Sequence, residues 1–155
     1  MEIAIERLAS ATAEAATLIA ELDAVLGALY EPHQRHGLSL DQVFQPNVRF
    51  FIARVADAAV GCGAVALFDD YAEVKRMYTR DAARGRGVGK ALLARIEREA
   101  RDAGKAVLRL ETGTEQMAAI GLYTGGGFHA CAPFGHYAGL RPSHVAASLF
   151  YEKPL

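Results

Sequence analysis

Residues 73–103 combine a strand pattern, a glycine-rich turn and an amphipathic helix pattern without interruption. The turn reads Arg84-Gly85-Arg86-Gly87-Val88-Gly89, and apolar residues then recur at every fourth position, which is typical of a helix with one buried face. These apolar residues are Val88, Leu92, Ile96 and Ala100. Because a helix that starts at such a turn presents unpaired N–H groups and the positive end of its dipole, the stretch predicts a site for phosphate groups.

The turn matches neither of two common phosphate-binding motifs. A P-loop has Gly five residues before its Gly-Lys pair and Ser or Thr after that pair, and these positions hold Arg84 and Ala91. The dinucleotide motif G-x-G-x-x-G also fails, because its last Gly is replaced by Lys90 or Leu92 in the two registers. What remains is R-x-x-G-x-G, surrounded by Arg80, Arg84, Arg86 and Lys90.

A second motif lies in residues 116–128, where a helix pattern ends in L-Y-x-x-x-G-F. Its fixed positions are Leu122, Tyr123, Gly127 and Phe128. With these two motifs in this order, the chain resembles the GNAT superfamily of N-acetyltransferases, whose R-x-x-G-x-G loop holds the pyrophosphate of acetyl-coenzyme A (acetyl-CoA). The resemblance covers residues 48–153 well and the first 47 weakly, and Gln116 stands where the family often has Asn.

The strand and helix patterns predict an α/β (α+β) fold in one domain over residues 1–155. Strand patterns cover 2–8, 48–56, 59–68, 73–80, 106–112, 129–135 and 146–153, and helix patterns cover 12–30, 88–103 and 115–124. A capping-box pattern, Ser39-Leu40-Asp41-Gln42, predicts one more short helix. The family resemblance implies a mixed, mostly antiparallel sheet flanked by helices, with strands 73–80 and 106–112 splayed apart at its centre.

Charge and composition bound the environment of the protein. A net charge of −1 argues against nucleic acid or an anionic membrane as the main partner, and no apolar run is long enough to span a bilayer. The two cysteines, Cys62 and Cys131, are expected to be buried free thiols in a cytoplasmic protein. No H-x-x-x-H or matching Cys pair is present, so no metal is expected. A homodimer is one assembly state that the sequence leaves open.

The resemblance implies an acetyl-CoA-dependent N-acetyltransferase that moves the acetyl group to a primary amine of a small molecule or amino acid. The loops 30–37 and 134–144 are long enough to close a pocket, which favours a small acceptor. A protein or peptide acetyltransferase is one alternative, and a non-catalytic acyl-CoA sensor is another. Similarity of the C-terminal half to bacterial members labelled indole-acetic-acid acetyltransferase-like fixes no substrate.

The expected contacts with acetyl-CoA come from three segments. Backbone amides near Met77, Tyr78 and Thr79 lie where splayed strands would leave donors unpaired for the pantetheine and the developing oxyanion. The remaining candidates are Arg84, Gly85, Arg86, Gly87, Val88, Gly89 and Lys90 in the loop, with Gln116 and Tyr123 near the second motif.

The predicted catalytic residues are Tyr123, Glu111 and Glu73. By family position, Tyr123 is the general acid for the departing thiolate, with a packed helix tyrosine as the structural alternative. Glu111 and Glu73 lie on the two central strands and are candidate bases, and a water chain is a third candidate. Strand alternation would place Glu73 beside Lys75, at the surface, and Glu111 could equally bond to Arg109 or Arg76. His33, His36 and His136 are loop histidines that could line the acceptor pocket, although surface positions are favoured.

Overall fold

The computed structural model describes residues 2–155, which contain a seven-stranded sheet and four α-helices. The strands are β1 (Ala4–Leu8), β2 (Val48–Val55), β3 (Ala58–Leu67), β4 (Ala72–Thr79), β5 (Val107–Gly113), β6 (His129–Ala130) and β7 (Ser148–Pro154). The helices are α1 (Ala13–Leu29), α2 (Val88–Asp102), α3 (Met117–Gly125) and α4 (Pro142–Val145). Across the sheet the order is β1-β2-β3-β4-β5-β7-β6, and among these neighbours β4 and β5 alone run parallel. The predicted mixed, mostly antiparallel sheet is confirmed.

Helices pack on both faces of the sheet. On one face α1 buries Ala15, Leu18 and Ile19 against β2 and β3. On the other face α2 buries the predicted stripe Val88, Leu92, Ile96 and Ala100. Since burying a Val, Leu or Ile side chain stabilises a fold by roughly 1.5–3 kcal/mol, this stripe holds α2, and with it the glycine-rich turn, firmly on the sheet.

The two central strands separate after a short pairing. β4 and β5 pair only through Ala72–Val74 and Leu108–Leu110, so the β5-facing edge of β4 lies open from Lys75 onward within residues 2–155. β5 meanwhile stays paired with β7 along its whole length. The predicted splay between these strands is confirmed, and it opens the sheet at the point where the two motifs converge.

A β-bulge changes which side chains of β4 share a face. The β3–β4 register shifts between Cys62 and Ala64, and Arg76 adopts φ +56°, an uncommon value for a residue other than glycine. Met77 therefore packs with Val74 in the α2-side core, while Arg76 pairs with Asp23 of α1. Strict strand alternation would place Met77 on the same face as Glu73 and Lys75, and that expectation is wrong because the bulge inserts an extra residue into β4.

Two other predicted elements are shorter in the structure. The capping box of Ser39 and Gln42 forms, with both reciprocal bonds, but it opens a single 3₁₀ turn over Gln42–Phe44 because Pro46 follows at once. β6 covers two residues, since the glycine- and proline-containing segment after it folds into a 3₁₀ turn, Gly135–Gly139, and then α4. Within residues 2–155, no helix has both the length and the apolar character that crossing a membrane requires.

Candidate active site

Two adjoining cavities open where the central strands diverge. An open cleft of about 740 Å³ runs between α1, the start of α2 and α3. A smaller cavity of about 80 Å³ lies among α1, the segment that follows it, β4 and β5. The cavities meet, because they share five lining residues, namely Leu22, Met77, Gln116, Ala119 and Tyr123.

The glycine-rich turn forms one end of the large cleft. Gly85 and Gly87 adopt φ +75° and +87°, a region that favours glycine, and a Cβ built on either would meet nothing within 4 Å. Gly87 is the N-cap of α2, and the first bond at this end of the helix runs from Ala91 N–H to Gly87 O at 3.0 Å. The preceding amides of Val88, Gly89 and Lys90 lie within the unpaired first turn. Open space beside unpaired donors fits a phosphate-bearing ligand.

The basic side chains of this region divide into two groups. Arg84 and Lys90 line the cleft, and Arg86 lies in the same turn as an exposed residue outside the cleft lining. Arg80 instead donates two hydrogen bonds of 2.9 Å to Glu21 of α1 and one of 2.8 Å to the Ala59 carbonyl. The expectation that Arg80 belongs to the phosphate site is therefore wrong, because all three of its guanidinium nitrogens are engaged elsewhere.

The other predicted contacts with acetyl-CoA lie along the same cleft. Met77, Tyr78 and Thr79 line it from the open edge of β4. Gln116 precedes α3, and its side-chain oxygen accepts a hydrogen bond of 2.9 Å from the Gly113 amide. Gln116 therefore joins the end of β5 to the start of α3, at the junction of the two cavities.

Tyr123 stands at the same junction. Its side chain lines both cavities, is 4% exposed and packs edge-on against Phe128. Among residues 2–155 its hydroxyl has no hydrogen-bond partner. Burial, together with the negative charge of Glu111, raises the pKa of Tyr123 above its ordinary value, so the phenol stays protonated at neutral pH. A protonated hydroxyl without a partner among the described residues, on a side chain that lines both cavities, suits a proton donor.

Glu111 lies on β5 in the wall of the small cavity. Its carboxylate accepts a hydrogen bond of 2.6 Å from Ser148. The predicted alternatives for Glu111 are wrong, since Arg109 pairs with Glu152 at 3.1 Å and Arg76 pairs with Asp23. Burial raises the pKa of Glu111 above its ordinary value, although the Ser148 bond opposes that shift. A carboxyl group of raised pKa beside a cavity has the properties of a general base.

Glu73 occupies a different environment. It is 2% exposed and accepts hydrogen bonds from Tyr137 at 2.6 Å and from Lys75 at 3.2 Å. Lys75 also donates to the Tyr137 hydroxyl at 2.9 Å and to the His36 carbonyl at 3.1 Å. The prediction that Glu73 pairs with Lys75 is thus right about the partner, but the surface position is wrong because Tyr137 and the 30–37 loop cover the pair.

The glycine-rich turn, the splayed strands and the buried tyrosine are what an acetyltransferase of the predicted superfamily requires. A family model for the Acetyltransferase (GNAT) family matches residues 15–128, well over half of the chain. The chain belongs to this family.

Relatives of this acetyltransferase include one curated protein of similar length. An IAA acetyltransferase of Azospirillum brasilense is 47% identical over 140 residues, which cover 89% of this chain and 88% of its own. A Klebsiella pneumoniae structure assigned as an acyl-CoA N-acyltransferase is 37% identical, with a TM-score of 0.82 over 99% of this chain and 97% of its own. The PaiA N-acetyltransferase of Thermoplasma acidophilum, solved with coenzyme A, shares the fold, with a TM-score of 0.75 at 17% identity over 100% of both chains.

Family membership confirms that the protein is an N-acetyltransferase that uses acetyl-CoA as co-substrate. The large cleft fits that role, because it joins the glycine-rich turn to the open edge of β4 and includes Tyr123 in its lining. The residues predicted for acetyl-CoA lie together along it, with the exceptions already described for Arg86 and Arg80.

Contacts between distant segments hold two side chains of the acetyltransferase's small cavity in place. Tyr30 accepts a hydrogen bond of 2.9 Å from the Glu115 amide and lies against Gly113, where a side chain would overlap its ring. His36 lines the cavity, and its Nε2 is 2.7 Å from the His144 carbonyl, while His33 and His136 are exposed. The sequence predicts His36 as a candidate for the acceptor pocket, whereas it indicates Tyr30 only as the first residue of the 30–37 loop.

The two cysteines take no part in either cavity lining. Cys62 is buried, as expected, and its thiol lies 3.4 Å from the Arg76 carbonyl. Burial raises the pKa of Cys62 to about 12, so this thiol is inert at neutral pH. Cys131 is half-buried rather than buried, because it follows the short strand β6.

Proposed function

We propose that this acetyltransferase transfers the acetyl group of acetyl-CoA directly to a primary amine of a small molecule. The observation that carries the proposal is the size of the second cavity, about 80 Å³, at the point where it meets the acetyl-CoA cleft at Tyr123. Such a cavity suits a compact acceptor. The name of the Azospirillum relative, an IAA acetyltransferase, is compatible with a small acceptor but leaves its identity to experiment.

The proposed mechanism assigns one task to each group of residues. The turn from Arg84 to Lys90 holds the phosphates of acetyl-CoA, whose thioester supplies the activated acetyl group. Glu111 accepts a proton from the attacking amine, and Tyr123 gives a proton to the departing thiolate. The open edge of β4 near Met77 presents backbone donors to the carbonyl oxygen. Glu73 holds Lys75 in the wall of the acceptor cavity through a network that also includes Tyr137, and so acts as a positioning residue.

Two alternatives are weighed against this proposal. A protein acetyltransferase needs an open groove for a peptide, whereas the small cavity is lined by Lys75 and His36, which are joined by a hydrogen bond and both contact Tyr137. A non-catalytic acyl-CoA sensor would need no unpaired proton donor, yet the Tyr123 hydroxyl is unpaired within residues 2–155 and lines both cavities.

The proposal is tested by release of free thiol from acetyl-CoA in the presence of a panel of small primary amines, with products identified by mass spectrometry. We expect acetylated product from at least one small amine, at rates well above hydrolysis of acetyl-CoA alone. A lysine-containing peptide serves as the comparison. Faster turnover of the peptide than of every small amine favours the protein acetyltransferase, and tight acetyl-CoA binding without any turnover favours the sensor.

The backbone of the glycine-rich turn gives a second expected result. Gly87→Val places a side chain in the open space beside the amides and at φ +87°, so acetyl-CoA should bind ~10–100-fold more weakly because charge-assisted bonds to phosphate are lost. Isothermal titration calorimetry measures this affinity. Gly104→Val is the matched control, because Gly104 has φ +78° and equally open surroundings at the far end of α2. Equal acetyl-CoA affinity in wild type and Gly87→Val, or an equal loss of affinity in Gly87→Val and Gly104→Val, would show that the turn does not bind acetyl-CoA.

A further inference from the structure

Two arginines of the small cavity have guanidinium groups whose hydrogen-bonding capacity the described residues satisfy only in part. Arg35 and Arg76 both line it, and the Nε atom of each is buried without a hydrogen-bond partner in residues 2–155. The rest of the Arg35 guanidinium also has no hydrogen bond or ion pair within those residues. Burying charged donors without partners is costly, and an anionic group of a ligand would offset that cost.

Arg76 is fixed in place more strongly than Arg35. It is 7% exposed, one terminal nitrogen is held by Asp23, and the other lies where a side chain on Gly37 would stand. The bulge in β4, with φ +56° at Arg76, directs this side chain away from the α2-side core. Asp23 neutralises part of its charge from the exposed side, but the buried Nε remains unpaired within the described chain.

The opposite charge lies elsewhere in the same cavity. Glu111 has Ser148 as its hydrogen-bond partner but no ion pair among residues 2–155, whereas Glu73 is already matched by Lys75. The cavity groups without an ion pair among residues 2–155 are therefore Glu111 on β5 and Arg35, which follows α1, while Arg76 in β4 adds a cation that Asp23 matches only in part. This arrangement complements a molecule with one positive and one negative group, and the small volume requires those groups to be close together.

We infer that the acceptor is a small amino acid, whose carboxylate is bound by Arg35 and Arg76 and whose amino group lies toward Glu111 and Tyr123. This inference rests on the proposed function and adds the substrate class. The arginines at the cationic end of the cavity hold the carboxylate and thereby position the amino group. The carboxylate therefore contributes to the specificity of the reaction as well as to the affinity for the acceptor. An amine that lacks a carboxylate leaves Arg35 without an anionic partner, so the enzyme should react with it more slowly than with the amino acid.

The test compares matched acceptors that differ only in the anionic group. The probes are the twenty common L-amino acids, the corresponding amino acid amides and the decarboxylated amines, each assayed with acetyl-CoA by thiol release and mass spectrometry. We expect kcat/KM for the best amino acid to exceed that of its own amide on the order of 100-fold. Amides or simple amines that react as well as the acids would overturn the inference and leave the proposed function standing. Failure of every amine in all three series would overturn both.

A pair of arginine variants locates the carboxylate site. Arg35→Gln should raise KM for the preferred amino acid ~10–100-fold and change kcat/KM for the amide less than about threefold, so that the preference for the acid is lost. Arg98→Gln removes the same charge from an exposed position on α2 and should leave the preference intact. Because Arg35 is half-buried, its variant is checked by thermal melting, which should be no lower than wild type, and by acetyl-CoA affinity, which should match wild type. An equal fold-decrease in kcat/KM for the amino acid and for its amide would show that Arg35 does not bind the carboxylate.

Discussion

Tyr123→Phe is expected to lower kcat ~10²-fold or more while changing acetyl-CoA affinity by less than about threefold. The substitution keeps the ring that packs against Phe128 and removes only a hydroxyl that has no hydrogen-bond partner within residues 2–155. Without that hydroxyl, the thiolate must leave without a proton from the enzyme. Steady-state kinetics under conditions where chemistry limits the rate, together with calorimetry for acetyl-CoA, measure the two quantities.

The pKa values of the Tyr123 phenol and the coenzyme A thiol do not by themselves favour proton transfer between the two groups. An unperturbed thiol has a pKa near ~8.5 and a phenol near ~10, and burial raises the pKa of Tyr123 further. Proton transfer from Tyr123 is uphill on that basis, but the same dry surroundings also make the thiolate a stronger base, which reduces the mismatch. A transfer concerted with departure of the thiolate then assists the reaction.

The control for Tyr123→Phe is Tyr151→Phe. Tyr151 is a half-buried tyrosine that packs against the same core but lines neither cavity, so its variant should keep wild-type kcat. A Tyr123→Phe enzyme whose kcat is within about twofold of wild type would show that Tyr123 is a structural residue.

Local sequence patterns predict the parts of this molecule that local physics determines. The turn that precedes α2 and the buried face of that helix depend on neighbouring residues, namely glycines at positive φ and apolar residues four apart. The strand at residues 106–112 likewise follows from an apolar run. The resemblance to the GNAT family adds two further predictions, the separation of β4 from β5 and the role of Tyr123. Neither can be derived from the periodicity of the sequence.

The remaining features arise from contacts between distant parts of the chain. Tyr137 reaches Glu73, and Arg80 reaches Glu21, across segments with no shared sequence signal. The bulge at Arg76 lies in an ordinary strand sequence, and its only hint is Gly63 opposite, where a side chain would come within 2.6 Å of the Met77 sulfur. Tertiary packing therefore decides which side chains of β4 enter the acceptor cavity.

The choice between Glu73 and Glu111 as general base also depends on tertiary contacts. Both are single glutamates on central strands, and their sequence contexts do not distinguish a base from a structural ion pair. In the structure Glu73 is matched by Lys75 and Tyr137, whereas Glu111 has a serine partner and no ion pair within residues 2–155. The unmatched carboxyl group is the better candidate for proton transfer, and its substitution has the other large expected effect.

Glu111→Gln is expected to lower kcat/KM ~10²–10⁴-fold, the range typical for loss of a positioned general base. In wild type, activity should rise with pH as Glu111 loses its proton, and because burial raises its pKa, that rise should lie above the ordinary range near 4.5. The pH profile of the variant should lack this rise and keep only the rise caused by deprotonation of the acceptor amine. The pH dependence of kcat/KM for both enzymes measures the difference, with Glu2→Gln, an exposed glutamate, as the control.

Stability provides an independent check that separates loss of a base from loss of the fold. A carboxyl group whose pKa is raised on folding contributes stability in full below its unfolded pKa, and this contribution is lost as the pH rises through its folded pKa. Gln cannot ionise, so Glu111→Gln should melt at a higher temperature than wild type at pH 8, and the difference should shrink toward pH 4. A variant that is slower yet at least as stable at pH 8 identifies Glu111 as a residue that lowers stability while serving the reaction. A variant that is slower and melts at a lower temperature than wild type at every pH would instead show that Glu111 is a structural residue. A water chain would then be the remaining candidate for the general base.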